Sequence, residues 1–457
     1  MEKLKRLRGF QDYIGPQAEL LSFIESKARE LARRYNLKEI RIPLVERIEL
    51  YERSSGETSD IVSKQMYAVR RAREEILTPE EIRANAGATR EASIRRNNSE
   101  ENVALRRGDE EESELMVLRP EGTPGVVRAY IEAGLDRTDP EQRWFYCGPM
   151  LRYERPQKGR FREFYQFGVE IFGRADAACD AELLIMIDDL RHELGIELDC
   201  QLNSLGCPVC RPAYREAVLA FGRKHLEALC EDCHARLERN PLRVLDCKND
   251  YALTERAPKS VDFLCPECKS HLSTVLELLQ CAGVKANLNP RIVRGLDYYV
   301  RTTFELSAPA LGAQNAVAAG GRYDGLVAAL GGASVPATGF AIGLERLAMA
   351  LQAQTEPGHT RPDLAVIALG AAALRRATAV ARELRSQGFS VEQASPERTL
   401  KAQLKRANRI GARYAVILGD DELARNVALL RDLDKSAQEE VRLDELIDKL
   451  KAVFVPN

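Results

Sequence analysis

Apolar residues recur at helical spacing between Gln17 and Tyr35, where Leu20, Leu21, Ile24, Ala28, Leu31 and Ala32 share one face. Asn36 supplies a stop, and EIRIPLVE (39–46) reads as a strand carrying Pro43. LMVLRP, from Leu115, reads as a buried strand. Residues 143–150 (RWFYCGPM) and 161–172 (FREFYQFGVEIF) are aromatic-rich, and the basic, glycine-containing stretch between them predicts an antiparallel hairpin with a long tip. DAELLIMIDDLRHEL (180–194) predicts an amphipathic helix, followed by a strand ending near Asn203. From Cys207 to Cys268 the pattern is helical. VRGLDYYVRTTFEL (293–306) returns to strand, AAGGRYDGL (318–326) reads as a glycine-rich turn, and GFAIGLERLAMAL (339–351) runs into a helix.

Two stretches interrupt this pattern. Residues 70–114 hold nine Arg and twelve acidic residues with no aromatic side chain. Such a segment cannot bury enough surface to offset its ordering entropy, so a mobile, solvated insertion is expected, with room for a short helix over 79–84. Residues 352–362 (QAQTEPGHTRP) are polar and contain Pro and Gly, and read as a linker. Beyond it LAVIALG, a helix over 372–387, FSVEQA, a helix over 399–410 and YAVILG alternate as in a small α/β domain with parallel strands.

The chain has 457 residues, room for about three domains. Its 67 Lys and Arg against 69 Asp and Glu give a net charge of −2, which excludes a histone-like polycation but leaves room for a local basic surface. No apolar run approaches the ~20 residues that span a bilayer. A cytoplasmic protein that makes no membrane contact is expected. There its 11 cysteines would stay reduced, and paired ones read as metal or redox candidates.

Five cations, Arg152, Arg155, Lys158, Arg160 and Arg162, crowd the hairpin tip. An ordinary basic loop is the plain alternative, but Gln166, Gly168 and Glu170 alternate along one face of the following strand, as in a lined pocket. LRYERPQKGRFREFYQFGVE (151–170) resembles the second class motif of the histidyl-tRNA synthetases, a class II aminoacyl-tRNA synthetase family. GFAIGLERL (339–347) resembles their third motif, and NLKEIRIPLVE (36–46) the first, at the dimer interface. RGLDYYVRTTFE (294–305) and AAGGRYDGL resemble the two signatures of the histidine enzymes, and LRPEGTPGVVRA (118–129) the amino-acid-binding segment.

The resemblance implies an α+β catalytic domain on an antiparallel sheet (1–205 and 284–351), a helical Cys-rich insertion domain (206–283) and a C-terminal α/β anticodon-binding domain (362–457). It implies a homodimer that ligates L-histidine to tRNA(His) through a histidyl-adenylate, with ATP and Mg. Arg152, Arg294 and Arg346 are the implied catalytic residues: Arg152 bridges the carboxylate and the α-phosphate, Arg294 faces it across that phosphate, and Arg346 holds the γ-phosphate, with Arg160 also at ATP. Glu121, Gly122, Thr123, Gln166 and Tyr323 fall around the α-amino group. Glu170 and Tyr299 meet the imidazole nitrogens, and Tyr298 shapes the pocket. Because successive side chains of a strand point to opposite faces, only one of the two tyrosines is expected to touch the ring. Arg155 and Gln157 are expected at the acceptor end of the tRNA.

Lys401, Lys405 and Arg409 share one helix face, a footprint for tRNA or a solvated surface. Three CxxC pairs begin at Cys207, Cys230 and Cys265, with Cys247 between the last two. Cys207, Cys210, Cys265 and Cys268 suffice for a tetrahedral structural zinc site, with buried unliganded thiols as the alternative. A non-catalytic paralogue, such as the regulatory subunit of ATP phosphoribosyltransferase, is the competing class. The retained Glu121, Arg152, Arg294 and Arg346 and the C-terminal α/β pattern speak against it. Deleting residues 72–112 is expected to leave adenylate formation largely intact; loss of that activity in a folded deletion variant, measured by pyrophosphate exchange, would show that the insertion works.

Overall fold

The first helix spans Pro16–Arg34 and buries Leu20, Ile24, Ala28, Leu31 and Ala32, the face expected from the spacing. Proline opens it, where a missing N–H costs no intrahelical bond, and Asn36 at φ 52° turns the chain out of it. The computed structural model describes residues 3–55, 61–69, 115–247, 249–292, 298–354, 361–394 and 398–454. The 70–114 insertion and Arg294 lie outside them. The chain divides into two units, Met1–Pro357 and Gly358–Asn457.

In chain order the strands of the first unit are β1 (Lys38–Glu39), β2 (Val45–Arg47), β3 (Tyr67–Val69), β4 (Met116–Leu118), β5 (Arg143–Leu151), β6 (Glu163–Phe172), β7 (Asp199–Ser204), β8 (Asn287–Leu288), β9 (Val300–Ser307), β10 (Ala316–Arg322) and β11 (Ala337–Gly343). Eight form one sheet in the order β1-β5-β6-β11-β10-β9-β7-β8, antiparallel except at the two edge pairings; β2, β4 and β3 form a small second sheet. Helices Pro16–Arg34, Ala177–Leu194, Pro266–Cys281 and Leu344–Gln354 contribute to a core that includes Ile24, Phe167, Ile187, Val275, Phe304 and Leu347. Each such side chain contributes about 1.5–3 kcal/mol on burial.

Three local expectations need correction. EIRIPLVE is two short strands, β1 and β2: Pro43 has no N–H for a ladder, and Arg119 donates to the Ile42 carbonyl at 2.6 Å and the Pro43 carbonyl at 3.3 Å, holding the break. AAGGRYDGL is mostly strand β10, central in the sheet. A Cβ at Gly320 would collide with the Gly339 carbonyl, so glycine here serves close backbone approach. The tyrosines of RGLDYY precede β9 rather than lie in it.

Arg322 of β10 is fully buried. It donates to Asp180 at 2.6 Å and to Asp324 at 3.0 Å, and Asp180 also bonds the His271 ring at 2.8 Å. Burial alone would raise Asp180, but His271 and Arg322 hold it below the usual carboxylate range. The network ties helices Ala177–Leu194 and Pro266–Cys281 to the sheet.

The second unit carries β12 (Leu364–Ala368), β13 (Val391–Gln393), β14 (Tyr414–Leu418), β15 (Val427–Asp432) and β16 (Gln438–Arg442) in the order β13-β12-β14-β15-β16. The three parallel strands match expectation. The antiparallel pair β15–β16 was not foreseen, since β16 (QEEVR) buries only Val441 and carries almost no hydrophobic signal. No helix among the described residues is long and apolar enough to cross a membrane.

Asp180→Ala would remove the shorter of two carboxylate partners from a buried guanidinium and leave His271 without its acceptor. A loss of about 3–5 kcal/mol is expected, read as a lower melting temperature by circular dichroism. An unchanged melt would mean that the network is not strongly stabilising.

Candidate active site

The register of two neighbouring strands opens a cavity. On β6, Gln166, Gly168 and Glu170 point one way, and across the ladder β11 sets Gly343, Ala341 and Gly339 opposite them. Small residues on one strand leave room above the polar residues of the other. The resulting cavity, about 240 Å³, is lined by residues that include Glu121, Thr123, Arg152, Arg160, Gln166, Tyr298, Tyr299, Tyr323 and Arg346. Residues drawn from five separated sequence segments thus meet in one place.

At one end lies a carboxyl–hydroxyl cluster. Glu170 is buried; its Oε1 accepts from the Thr123 hydroxyl at 2.6 Å and its Oε2 from the Tyr323 hydroxyl. Burial pushes Glu170 up to about 8 against the lowering pull of those two donors. Glu121 accepts from the Tyr298 hydroxyl at 3.2 Å and from Ser55 at 3.4 Å. Gln166 Oε1 is buried with no hydrogen-bond partner among the described residues. Tyr298 and Tyr299 both line the cavity, with ring centroids 4.6 Å apart. Both precede β9, so strand alternation does not separate them to opposite faces. Arg211, in the Cys-rich segment, donates to the Tyr299 carbonyl.

At the other end the guanidinium groups gather. Arg346 enters helix Leu344–Gln354 at its third residue and donates to the carbonyls of Gly159 at 2.8 Å and Ala316 at 2.6 Å. Burial pulls it below its ordinary pKa, and the nearby charges of Arg160 and Arg152 act in the same direction. Arg152 donates to the Pro120 carbonyl at 2.8 Å and lies 5.3 Å from the Phe164 ring centre. Arg160 pairs with Glu154 at 3.0 Å. Like charges held together by backbone carbonyls form a ready site for a polyanion.

Arg155 and Gln157 sit on the tip; Gln157 forms an isolated bridge with Arg160. Lys401, Lys405 and Arg409 are exposed on helix Leu400–Arg409, whose Gln403 and Ala407 are buried. They belong to the second unit.

Three site residues escaped the sequence reading. Tyr146 lines the cavity and is packed so closely that a Cβ at Gly122 or Gly168 would strike its ring. Gly122 therefore contributes space for Tyr146. The signal was there: Gly168 lies directly across the hairpin from Tyr146. Glu345, raised to about 7 by burial, accepts from the Tyr165 backbone N–H at 2.9 Å and from Tyr13 at 3.3 Å, joining the helix start to β6. Arg211 had no local signal, since its partner is 88 residues away.

A largely antiparallel sheet with a basic hairpin tip and a strand-to-helix arginine is the catalytic fold of the class II aminoacyl-tRNA synthetases. The sequence profile described as Histidyl-tRNA synthetase matches residues 89–347, and that described as Anticodon binding domain matches 363–453. The histidine–tRNA ligase of Solidesulfovibrio magneticus is 42% identical over 459 aligned residues, covering 100% of this chain and 99% of the relative. That of Trichlorobacter lovleyi is 43% identical, covering 96% of each. The apo crystal structure of the S. aureus histidyl-tRNA synthetase matches with a TM-score of 0.75 at 30% identity, covering 98% of this chain and 100% of that one. The chain belongs to the histidyl-tRNA synthetase family, which attaches histidine to tRNA(His) through an aminoacyl adenylate.

Because Glu170 is raised above its usual 4.5, the ligand-free folded protein holds more protons than the unfolded chain between that value and about 8. Its stability should therefore fall as pH rises through that window, with Glu345 acting in the same sense below about 7. Glu170→Gln is expected to flatten part of this slope in melts taken from about pH 5 to about pH 8. Parallel slopes for parent and variant would contradict a buried neutral carboxyl.

Proposed function

We propose that the cavity activates L-histidine with Mg-ATP and then transfers it to tRNA(His). The histidine carboxylate attacks the α-phosphorus, a P–O bond forms, and pyrophosphate leaves with the electron pair of the broken bond. A ribose hydroxyl at the tRNA end then attacks the acyl carbon, and AMP departs. The observation that carries this reading is that Arg152, Arg160 and Arg346 line the same cavity as Glu121, Thr123, Gln166 and Tyr323, with Glu170 bonded to Thr123 and Tyr323 beneath its wall.

In this assignment Arg152 bridges the carboxylate and the α-phosphate, Arg160 and Arg346 hold the outer phosphates, and Arg294 acts from the far side of the α-phosphate. Such preorganised cations favour charge that develops in the transition state. The unpartnered Gln166 Oε1 supports a role as acceptor for the α-ammonium, beside Glu121, Gly122, Thr123 and Tyr323. Glu170 and Tyr299 read the two ring nitrogens, one as donor and one as acceptor, with Tyr298 closing the pocket.

On the same reading residues 1–205 and 284–351 form the catalytic domain, 206–283 an insertion domain and 362–457 the anticodon-binding domain. Arg155 and Gln157 meet the tRNA acceptor end, while Lys401, Lys405 and Arg409 meet its anticodon arm. The protein works in the cytoplasm as a homodimer, a reading supported by the exposed Leu44 and Val45 in the segment that resembles the dimer motif. Cys207, Cys210, Cys265 and Cys268 hold a structural zinc. One ligand atom from each lies within 4.8 Å of all the others, and the thiol–thiol separations of 3.6 and 4.0 Å bracket the roughly 3.8 Å edge of a zinc–thiolate tetrahedron. Arg211, adjacent to Cys210, carries that rigidity to Tyr299.

ATP–pyrophosphate exchange is expected with histidine and no other amino acid, and Arg346→Ala is expected to lower it about 10²-fold or more. Exchange driven by a different amino acid, or none at all, would overturn the assignment.

A further inference from the structure

A second group of donors lies in the Cys-rich segment, apart from the four thiols above. Cys230, Cys233, Cys247 and Asp250 each offer one ligand atom, and these atoms all lie within 4.8 Å of one another. We propose that they bind a second tetrahedral zinc ion, which closes the chain between Leu229 and Thr254 on itself. The spacing, C-x2-C-x13-C-x2-D, repeats the two-pair design of the first cluster, with Asp250 in place of the fourth thiol.

Local structure presents all four groups. Cys230 caps helix Glu231–Arg239, and Cys233 lies in its first turn, where its N–H and that of His234 bond the Cys230 carbonyl at 2.9 and 3.1 Å. Cys247 ends the 3-10 turn Pro241–Asp246, and Asp250 begins the short helix Tyr251–Thr254. The Cys230 N–H donates to the Asp250 carboxylate, with oxygens at 3.1 and 3.3 Å, which orients it toward the thiols. The Cys230 and Cys247 sulfurs are 3.7 Å apart, close to the edge of a zinc–thiolate tetrahedron and far from a disulfide's ~2.05 Å. All three cysteines are free thiols, and Cys233, Cys247 and Asp250 are buried.

Packing gives an independent reason for a metal. The apolar cluster here consists of Leu229, Leu237 and Val244 around Cys233 and Cys247, with Leu219 and Leu253 at its margin. A second small cluster packs Leu242 and Leu245 against Tyr214 and Val218; cores of this size are commonly reinforced by disulfides or a structural metal. Three thiolates and one carboxylate favour zinc over magnesium or calcium, which prefer all-oxygen shells.

The test is metal analysis of the full-length protein purified without chelator. Two zinc equivalents per chain are expected, falling to about one in Cys233→Ser, with Asp250→Cys retaining two by restoring a fourth thiol. Cys210→Ser should remove the other equivalent, so each site is judged separately. A parent with one zinc that Cys233→Ser removes and Cys210→Ser spares would uphold this site and refute the first. A parent with no zinc, or with one lost only in Cys210→Ser, would overturn the proposal. X-ray absorption on the parent serves if the variants do not fold: seven sulfur and one oxygen ligands shared by two zinc ions are expected, and an all-sulfur shell would contradict it.

Discussion

Everything in the first unit turns on holding mutually repelling guanidinium groups beside a cavity that also contains buried carboxyls. Arg346 illustrates the cost: burial and its neighbours Arg160 and Arg152 all disfavour its charge. The fold offsets that cost locally, with carbonyls of Gly159, Ala316 and Pro120 and the carboxylate of Glu154. Such a cluster suits a polyanion, whose charge offsets repulsion among the cations. Glu170 makes the opposite demand, a buried surrounding that pushes a carboxyl up to about 8. Both demands are met because one sheet face is hollowed by Gly339, Ala341 and Gly343 opposite Gln166, Gly168 and Glu170.

Glycine shapes this site by making room for other side chains. Gly122 and Gly168 accommodate the Tyr146 ring, and a Cβ at Gly339 would displace Glu170. Backbone twists of positive φ play no part at these positions. The Cys-rich segment supports the same pocket from behind, since Leu205 and Gly206 exchange backbone bonds with Arg301, and Arg211 holds the Tyr299 carbonyl.

Much of this was legible in the chain. Amphipathic spacing located the first helix and the helix following Asp176, and alternation located the hairpin β5–β6 with its polar face. Residue types at long separation, read through family resemblance, brought Arg152, Arg346, Glu121 and Glu170 into one site before any coordinates. What stayed hidden depends on partners distant in sequence. Gly320 and Gly321 read as a turn because nothing local reveals that a neighbouring backbone lies against them. β16 was missed because an edge strand with one buried residue has no apolar period. Cys247 stood alone in the sequence and its pairing with Asp250 was missed, because a search for paired cysteines discards a pair whose second member is a carboxylate.

On the proposed function one cavity holds the triphosphate and the imidazole side by side. A crystal structure with ATP and histidinol, which lacks the attacking carboxylate, would show both ligands without reaction. The imidazole is expected within hydrogen-bond distance of Glu170, and a phosphate on Arg346. An imidazole bound away from Glu170, or a triphosphate making no contact with Arg152 or Arg346, would contradict it.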